Sequence, residues 1–196
     1  MSHAHAAPGR MTTAEFLRWH EDRDETEHFE LEDGVPVLMA PEWLEHAMAK
    51  ARAWRALRDA ADAAGHACQA YVDGPMIPVS DHRACQPDAV MRCGPPLPPK
   101  SMLIPDPLVV LEVVSPNTGR QDRVLKLEGY FAVPSVRHYI VVLLERRRVI
   151  HHRRVHWRVA LDAVIETRIL SEDATITLDP PGALALPVAA PLGPPS

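Results

Sequence analysis

LVVLEVV, residues 108–114, sets one glutamate, Glu112, inside six aliphatic residues. A strand-forming run this apolar belongs inside a sheet covered on both faces. An isolated ionised carboxylate there costs several kcal/mol or takes up a proton. Something must therefore compensate Glu112: a basic side chain, a hydrogen-bond network or a metal ion. Alternate residues of a strand share a face, so Glu112 points with Val110 and Val114, while Leu111 and Val113 point the other way.

Downstream, Pro116 closes the strand. RQDRVLKLEGYFA, 120–132, then reads as a helix with its N-terminus near Asn117 and Thr118. Val124, Leu127 and Phe131 form one stripe of it, and Lys126 and Tyr130 lie one turn apart on another. Upstream, QPDAVMRC, 86–93, carries a second carboxylate, Asp88, at the start of a short strand. The proline-rich stretch 94–107 between the two strands is too broken for regular structure, and long enough to let them pair as neighbours. If they pair, Asp88 and Glu112 converge at one end of the sheet. Two carboxylates in a partly dry site repel unless a cation lies between them. A hard divalent ion, Mg²⁺ or Mn²⁺, favours one or two carboxylates plus waters and phosphate oxygens. Lys126, pointing back over the strand end, supplies an ammonium group for a phosphoryl oxygen or a water. An Asp, a Glu and a Lys around such an ion form a site for phosphodiester hydrolysis.

The remaining segments place this pair in a mixed fold. MTTAEFLRWHEDR, 11–23, has a cap signal at Thr12 or Thr13 and reads as a short helix. FELE and VPVLM flank Asp33-Gly34, a strong signal for a hairpin. After Pro41 a long helix is expected, with Leu44, Ala47, Met48, Ala51, Trp54, Leu57 and Ala61 as its apolar stripe and Gly65 as its stop. CQAYV and MIPVS are short strands, and RHYIVVLL, RVIHHRRVHW, AVIETRIL and ATITL make the C-terminal third rich in hairpins. Hairpin, helix, strands, helix, strands points to an α/β (α+β) sheet and away from an all-β barrel.

With 196 residues, 46% of them apolar, one domain over 11–187 is expected, with loose tails at 1–10 and 188–196. Twenty-one basic against 26 acidic residues give a net charge of −5, so no global positive field draws in nucleic acid. Three cysteines cannot all pair within the chain, and no membrane-length apolar run is seen. A cytoplasmic location is the default expectation. Cys85, Cys93 and His82 lack the paired spacing of a zinc site, and no GxSxG elbow surrounds Ser115. The basic run RRRVIHHRRVHWR, 146–158, can be a phosphate grip with Trp157 as a stacking platform, or a solvated strand edge; we read it as the edge. His46, beside Glu45, reads as a surface histidine.

QPDAVM followed by PLVVLEVVSPNTGRQDRVLKLEGYFAVPSVRHYIVV resembles the core of a putative restriction-endonuclease family abundant in cyanobacteria, within the PD-(D/E)XK nuclease superfamily. FELEDGVPVLMAP and His46 resemble its amino-terminal half, and the similarity runs from about Met11 to about Pro187. The resemblance implies a restriction-endonuclease-like mixed central sheet flanked by helices, with Asp88 and Glu112 as metal ligands and Lys126 as the active-site lysine. It also implies Glu30, in FELEDG, as a further metal ligand, DNA as the foremost nucleic-acid partner, and a homodimer that cuts both strands. The lysine lies on the following helix; the nearer position, two residues after the glutamate, is Val114. Ile140 and Leu143 stand where the family usually has tryptophan and aspartate. The rival reading is a non-catalytic module that keeps the nuclease fold and holds Glu112 in a plain ion pair with Lys126.

Overall fold

A computed structural model describes residues 10–23, 27–114, 120–155 and 164–194, without the side chains of 120–123. Helix α1 (Thr13–Glu21) starts at a capping box, in which Thr12 Oγ1 accepts from the Glu15 amide while the Glu15 carboxylate accepts from the Thr12 amide at 2.7 Å. Strands β1 (Phe29–Glu32) and β2 (Val35–Leu38) form the expected hairpin. Its two turn residues, Asp33 and Gly34, both have positive φ, 46° and 81°, as a two-residue turn matched to strand twist requires. Helix α2 (Leu44–Ala63) leads to β3 (Cys68–Val72), β4 (Ile77–Ser80), β5 (Arg83–Cys85) and β6 (Ala89–Cys93). The central strand is β7 (Val109–Val114), followed by α3 (Arg120–Ala132) and β8 (His138–Leu143). β9 (Arg148–Val155), β10 (Val164–Ser171), β11 (Thr175–Leu178), β12 (Leu184–Pro187) and the one-turn α4 (Ala189–Leu192) complete the chain.

Six strands form the main sheet in the order β10-β9-β8-β7-β6-β3. Its pairs are antiparallel except β7 with β8, the two strands that α3 connects. A second sheet, β2-β1-β5-β4, packs beside it. Every residue of β7 is buried, as its unbroken apolar run demands. Val109, Leu111 and Val113 belong to a core shared with α2, β11, β12 and α4; Val110 and Val114 belong to one shared with α3 and β8. Glu112 therefore faces the α3 layer.

α2 is rotated relative to the stripe read from the sequence. Its buried face is Ala49, Lys50, Ala53, Ala56, Leu57, Ala60 and Ala61, whereas Leu44 and Met48 are 76% and 52% exposed. Small side chains let the helix lie close to the sheet, so residue size misled a reading that weighted Leu and Met. The expected C-terminal tail from 188 onward is also corrected: Val188, Pro191 and Leu192 are buried, and Val188 and Leu192 join the core against α2. Their local sequence lacks periodicity, but tertiary burial fixes them. β5, three residues long, is too short to register as a pattern. Cys68 and Cys93 form a disulfide between β3 and β6, so cysteine usage no longer argues for a reducing compartment. Among the described residues no helix is long and apolar enough to cross a membrane.

Candidate active site

The β6–β7 ladder ends at Ala89 opposite Leu111. Pro87 interrupts the strand beyond it, since proline cannot donate to a ladder. The Val113 amide instead donates to Asp88 Oδ2 at 2.6 Å, which fixes the first carboxylate against the end of β7. Glu112, 5% exposed, meets Lys126 Nζ at 3.1 Å and the Tyr130 hydroxyl at 2.5 Å, both donating to Oε1. The lysine and the tyrosine come from successive turns of α3, as their spacing of four predicts. α3 is itself held by Arg83, which donates to the Leu125 carbonyl at 3.1 Å. Gly129 permits the close approach, because a Cβ there would lie 3.1 Å from Val79 Cγ1.

Asp88, Glu112 and Lys126 line one cavity of about 200 Å³. Glu30 does not line it. It is buried behind, its Oε1 accepting from the Gln86 amide at 2.8 Å, and so ties β1 to the turn that carries Asp88.

Two further residues also enter the cavity, His46, which the sequence reading set aside, and Lys50, which it missed. His46, read as a surface residue, has Nε2 3.4 Å from Asp88 Oδ2. Lys50, one turn later on α2, has Nζ 3.4 Å from Asp88 Oδ1 and closer still to Glu42 and Asp73. The available signal was a lysine at helical spacing from Ala53 and Leu57, the same anomaly in a helix that Glu112 presents in a strand. Misplacing the buried stripe concealed it.

These contacts set the protonation states. Burial pushes Glu112 up to about 7, against the pull of the Lys126 ammonium, and the charges of Asp88 and Glu30 add to the rise. Burial acts against Lys126 too, but Glu112 and Glu30 hold its ammonium well above the ordinary lysine value. Burial also pushes Asp88 up, yet its hydrogen bond with His46, the Lys50 charge and the Val113 amide outweigh that and keep it below the ordinary range. His46 is raised by its hydrogen bond to Asp88, against the effect of burial. At neutral pH Asp88 is thus a carboxylate, while Glu112 sits near the point where one proton more or less decides its charge.

In the described part of the basic run, 146–155, Arg146 and Arg148 are exposed, while Arg147, Arg153 and Arg154 are engaged by neighbouring groups. Arg147 pairs with Glu172, Arg153 and Arg168 share Glu166, and Arg154 donates to the carbonyls of Phe131, Val133 and Val136. The edge-strand reading is corrected, because β9, which carries the run, lies inside the sheet between β8 and β10; Trp157 lies outside the described residues. Ile140 is fully buried in the core, and Leu143 packs on the α3 side of the sheet, so both departures at these positions serve packing.

A mixed sheet with a parallel β7–α3–β8 unit, one acid before β6, one inside β7 and a lysine on α3 is the architecture of the restriction-endonuclease-like nuclease fold. The family model described as "Uma2: Putative restriction endonuclease" matches residues 13–189, and the chain belongs to that family. It is similar to the crystal structure of "a putative nuclease belonging to DUF820" from Anabaena variabilis ATCC 29413, with a TM-score of 0.68 over 93% of this chain and 97% of that one. Identity between the two is 14%, so the likeness is one of fold. No curated protein matches.

Proposed function

We propose that the protein is a divalent-metal-dependent endonuclease that hydrolyses phosphodiester bonds of nucleic acid, DNA foremost. The observation that carries this is the convergence of Asp88, Glu112 and Lys126 on one cavity from three separate segments. The donor set fits Mg²⁺ or Mn²⁺, which take one or two carboxylates and fill their remaining positions with water and phosphate oxygens. Asp88 and Glu112 would hold the ion, with Glu30 supporting the turn beneath Asp88. Bound there, the metal supplies Lewis-acid polarisation of the phosphate and acidifies a water. In hydrolysis a water oxygen bonds to phosphorus, the ester P–O bond breaks, and the leaving oxygen takes up a proton. Lys126 orients the water and stabilises the charge that builds on the phosphoryl oxygens. Tyr130 keeps the Glu112 carboxylate in place. The family relationship favours nucleic acid as the partner, and we extend the proposal to a homodimer.

The test is incubation of the purified protein with plasmid DNA, single-stranded DNA and RNA, with and without Mg²⁺ or Mn²⁺, beside Glu112→Ala and Lys126→Ala. Metal-dependent cutting lost in both variants is expected. Cutting that survives in them, or none by the parent, refutes the assignment. The second outcome would favour a non-catalytic module, a reading supported by one feature of the site: Asp88 and Glu112 already have cationic partners within the chain.

A further inference from the structure

Lys50 has no part in the reading above, yet it is the less solvent-exposed of the two cavity lysines, its side chain 7% exposed against 18% for Lys126. We infer that the Lys50 ammonium is a built-in cation occupying a second cation position beside Asp88, so that the site takes one divalent ion and not two. The inference rests on the proposed metal site.

Lysine is almost never buried without a partner, and one carboxylate suffices for an ion pair. Lys50 has three, from three parts of the chain. Glu42 Oε2, just before α2, lies at 2.9 Å; Asp73 Oδ1, in the turn after β3, at 2.7 Å; Asp88 Oδ1, before β6, at 3.4 Å. Carboxylate oxygens converging from separate segments on one point of positive charge are the environment of a bound hard cation. Asp88 divides its oxygens accordingly. Oδ1 faces Lys50, while Oδ2 faces the Val113 amide and His46. In two-metal phosphodiesterases a pair of ions about 4 Å apart flanks the reacting phosphate. Here one flank carries a covalently attached charge. An ammonium stabilises negative charge as a point cation but has no open coordination position for water, so the two sides of the site are chemically unequal. Removing Lys50 would leave Glu42, Asp73 and Asp88 facing one another.

The experiment counts Mn²⁺ bound per full-length chain by calorimetry and by electron paramagnetic resonance. The parent, Lys50→Met, Lys50→Arg and Glu112→Gln are compared. One ion is expected for the parent and for Lys50→Arg, and two for Lys50→Met. Glu112→Gln should lose the parent's ion. Two ions in the parent, or only one in Lys50→Met, would overturn the inference while the metal site itself stands. No ion in the parent would instead bring down the metal site and the inference with it. If Lys50→Met does not fold, the parent count still decides, because two ions per chain are incompatible with an ammonium in the second position.

Discussion

Acid should weaken this fold through two histidines on the strands that flank the site's own scaffold. His138, on β8, and His151, on β9, stack with ring centroids 5.2 Å apart and share a hydrogen bond of 3.0 Å between Nδ1 and Nε2. Burial holds His138 down at about 4, against the carbonyls of Pro180 and Asp179, which pull the other way. Burial also holds His151 at about 3, with His138, Arg153, His152 and Arg168 adding to the depression. Each is thus neutral when folded and free to take up a proton near 6.5 when unfolded, so its stabilising contribution is complete above that value. As pH falls below about 6.5, protons bind preferentially to the unfolded chain. At about pH 5 each group then costs about 2 kcal/mol relative to about pH 7.5, or about 4 kcal/mol for the pair. The loss continues until the folded values, 4 and 3, are passed. Glu112 acts in the opposite sense. Its carboxyl is raised by burial, so the penalty of keeping it ionised is relieved on acidification. Absolute stability therefore mixes the two effects, and the informative quantity is the difference from His138→Leu/His151→Leu, which has similar volume and nothing to titrate. Urea unfolding at the two pH values should show the parent losing about 4 kcal/mol more than the double variant. Parallel pH profiles for the two proteins, or imidazole resonances of either histidine titrating above about pH 6, would refute the reasoning.

Tyr130→Phe removes a hydrogen bond to a buried carboxylate, so stability at neutral pH should fall by about 2 kcal/mol and the Glu112 carboxyl should rise further. Denaturant midpoints and the acid limb of the nuclease pH profile would show both effects. The rotation of α2 is checked by paired truncations. Leu57→Ala, at a fully buried position, should cost about 3 kcal/mol, while Leu44→Ala, at a position 76% exposed, should change stability by no more than about 0.5 kcal/mol. Comparable losses for the two would restore the stripe read from the sequence.

What the sequence made legible follows from which physical signal was loud. Glu112 stands out because six aliphatic neighbours leave a charge no ordinary explanation, and the face it shares with Val110 and Val114 is the one the structure gives it. The Asp33-Gly34 hairpin and the spacing of Lys126 and Tyr130 are local rules that the fold obeys without distortion. The quiet signals lay on α2. An alanine-rich face carries little hydrophobic weight, so Leu44 and Met48 drew the stripe toward solvent and His46 and Lys50 went with the wrong side. The C-terminal turn was illegible for a related reason: Val188 and Leu192 are too few to make a period, and only the surface of α2 gives them somewhere to go.

The two halves of the site belong to opposite layers of the sheet, and this governs its electrostatics. α3 covers the face that carries Glu112, and delivers Lys126 and Tyr130. α2 covers the other face, and delivers His46 and Lys50. Only at the strand end, where Pro87 breaks the ladder and Asp88 turns inward, can side chains from both layers meet. Five carboxyl groups gather there: Asp88 and Glu112, Glu42 and Asp73 around Lys50, and Glu30 behind. Among the described residues two ammonium groups and the His46 imidazole oppose them, so even with His46 protonated these residues lack two positive charges. Burial raises Glu112, the most deeply buried of the titrating acids, up to about 7, and the charges of Asp88 and Glu30 add to the rise. A phosphate brought to such a site unaided would be repelled. On the proposed reading, one divalent cation held by Asp88 and Glu112 would make up the deficit and let a phosphodiester approach. The same count is in keeping with the proposed single metal with Lys50 beside it, since a second divalent ion would leave an excess of positive charge.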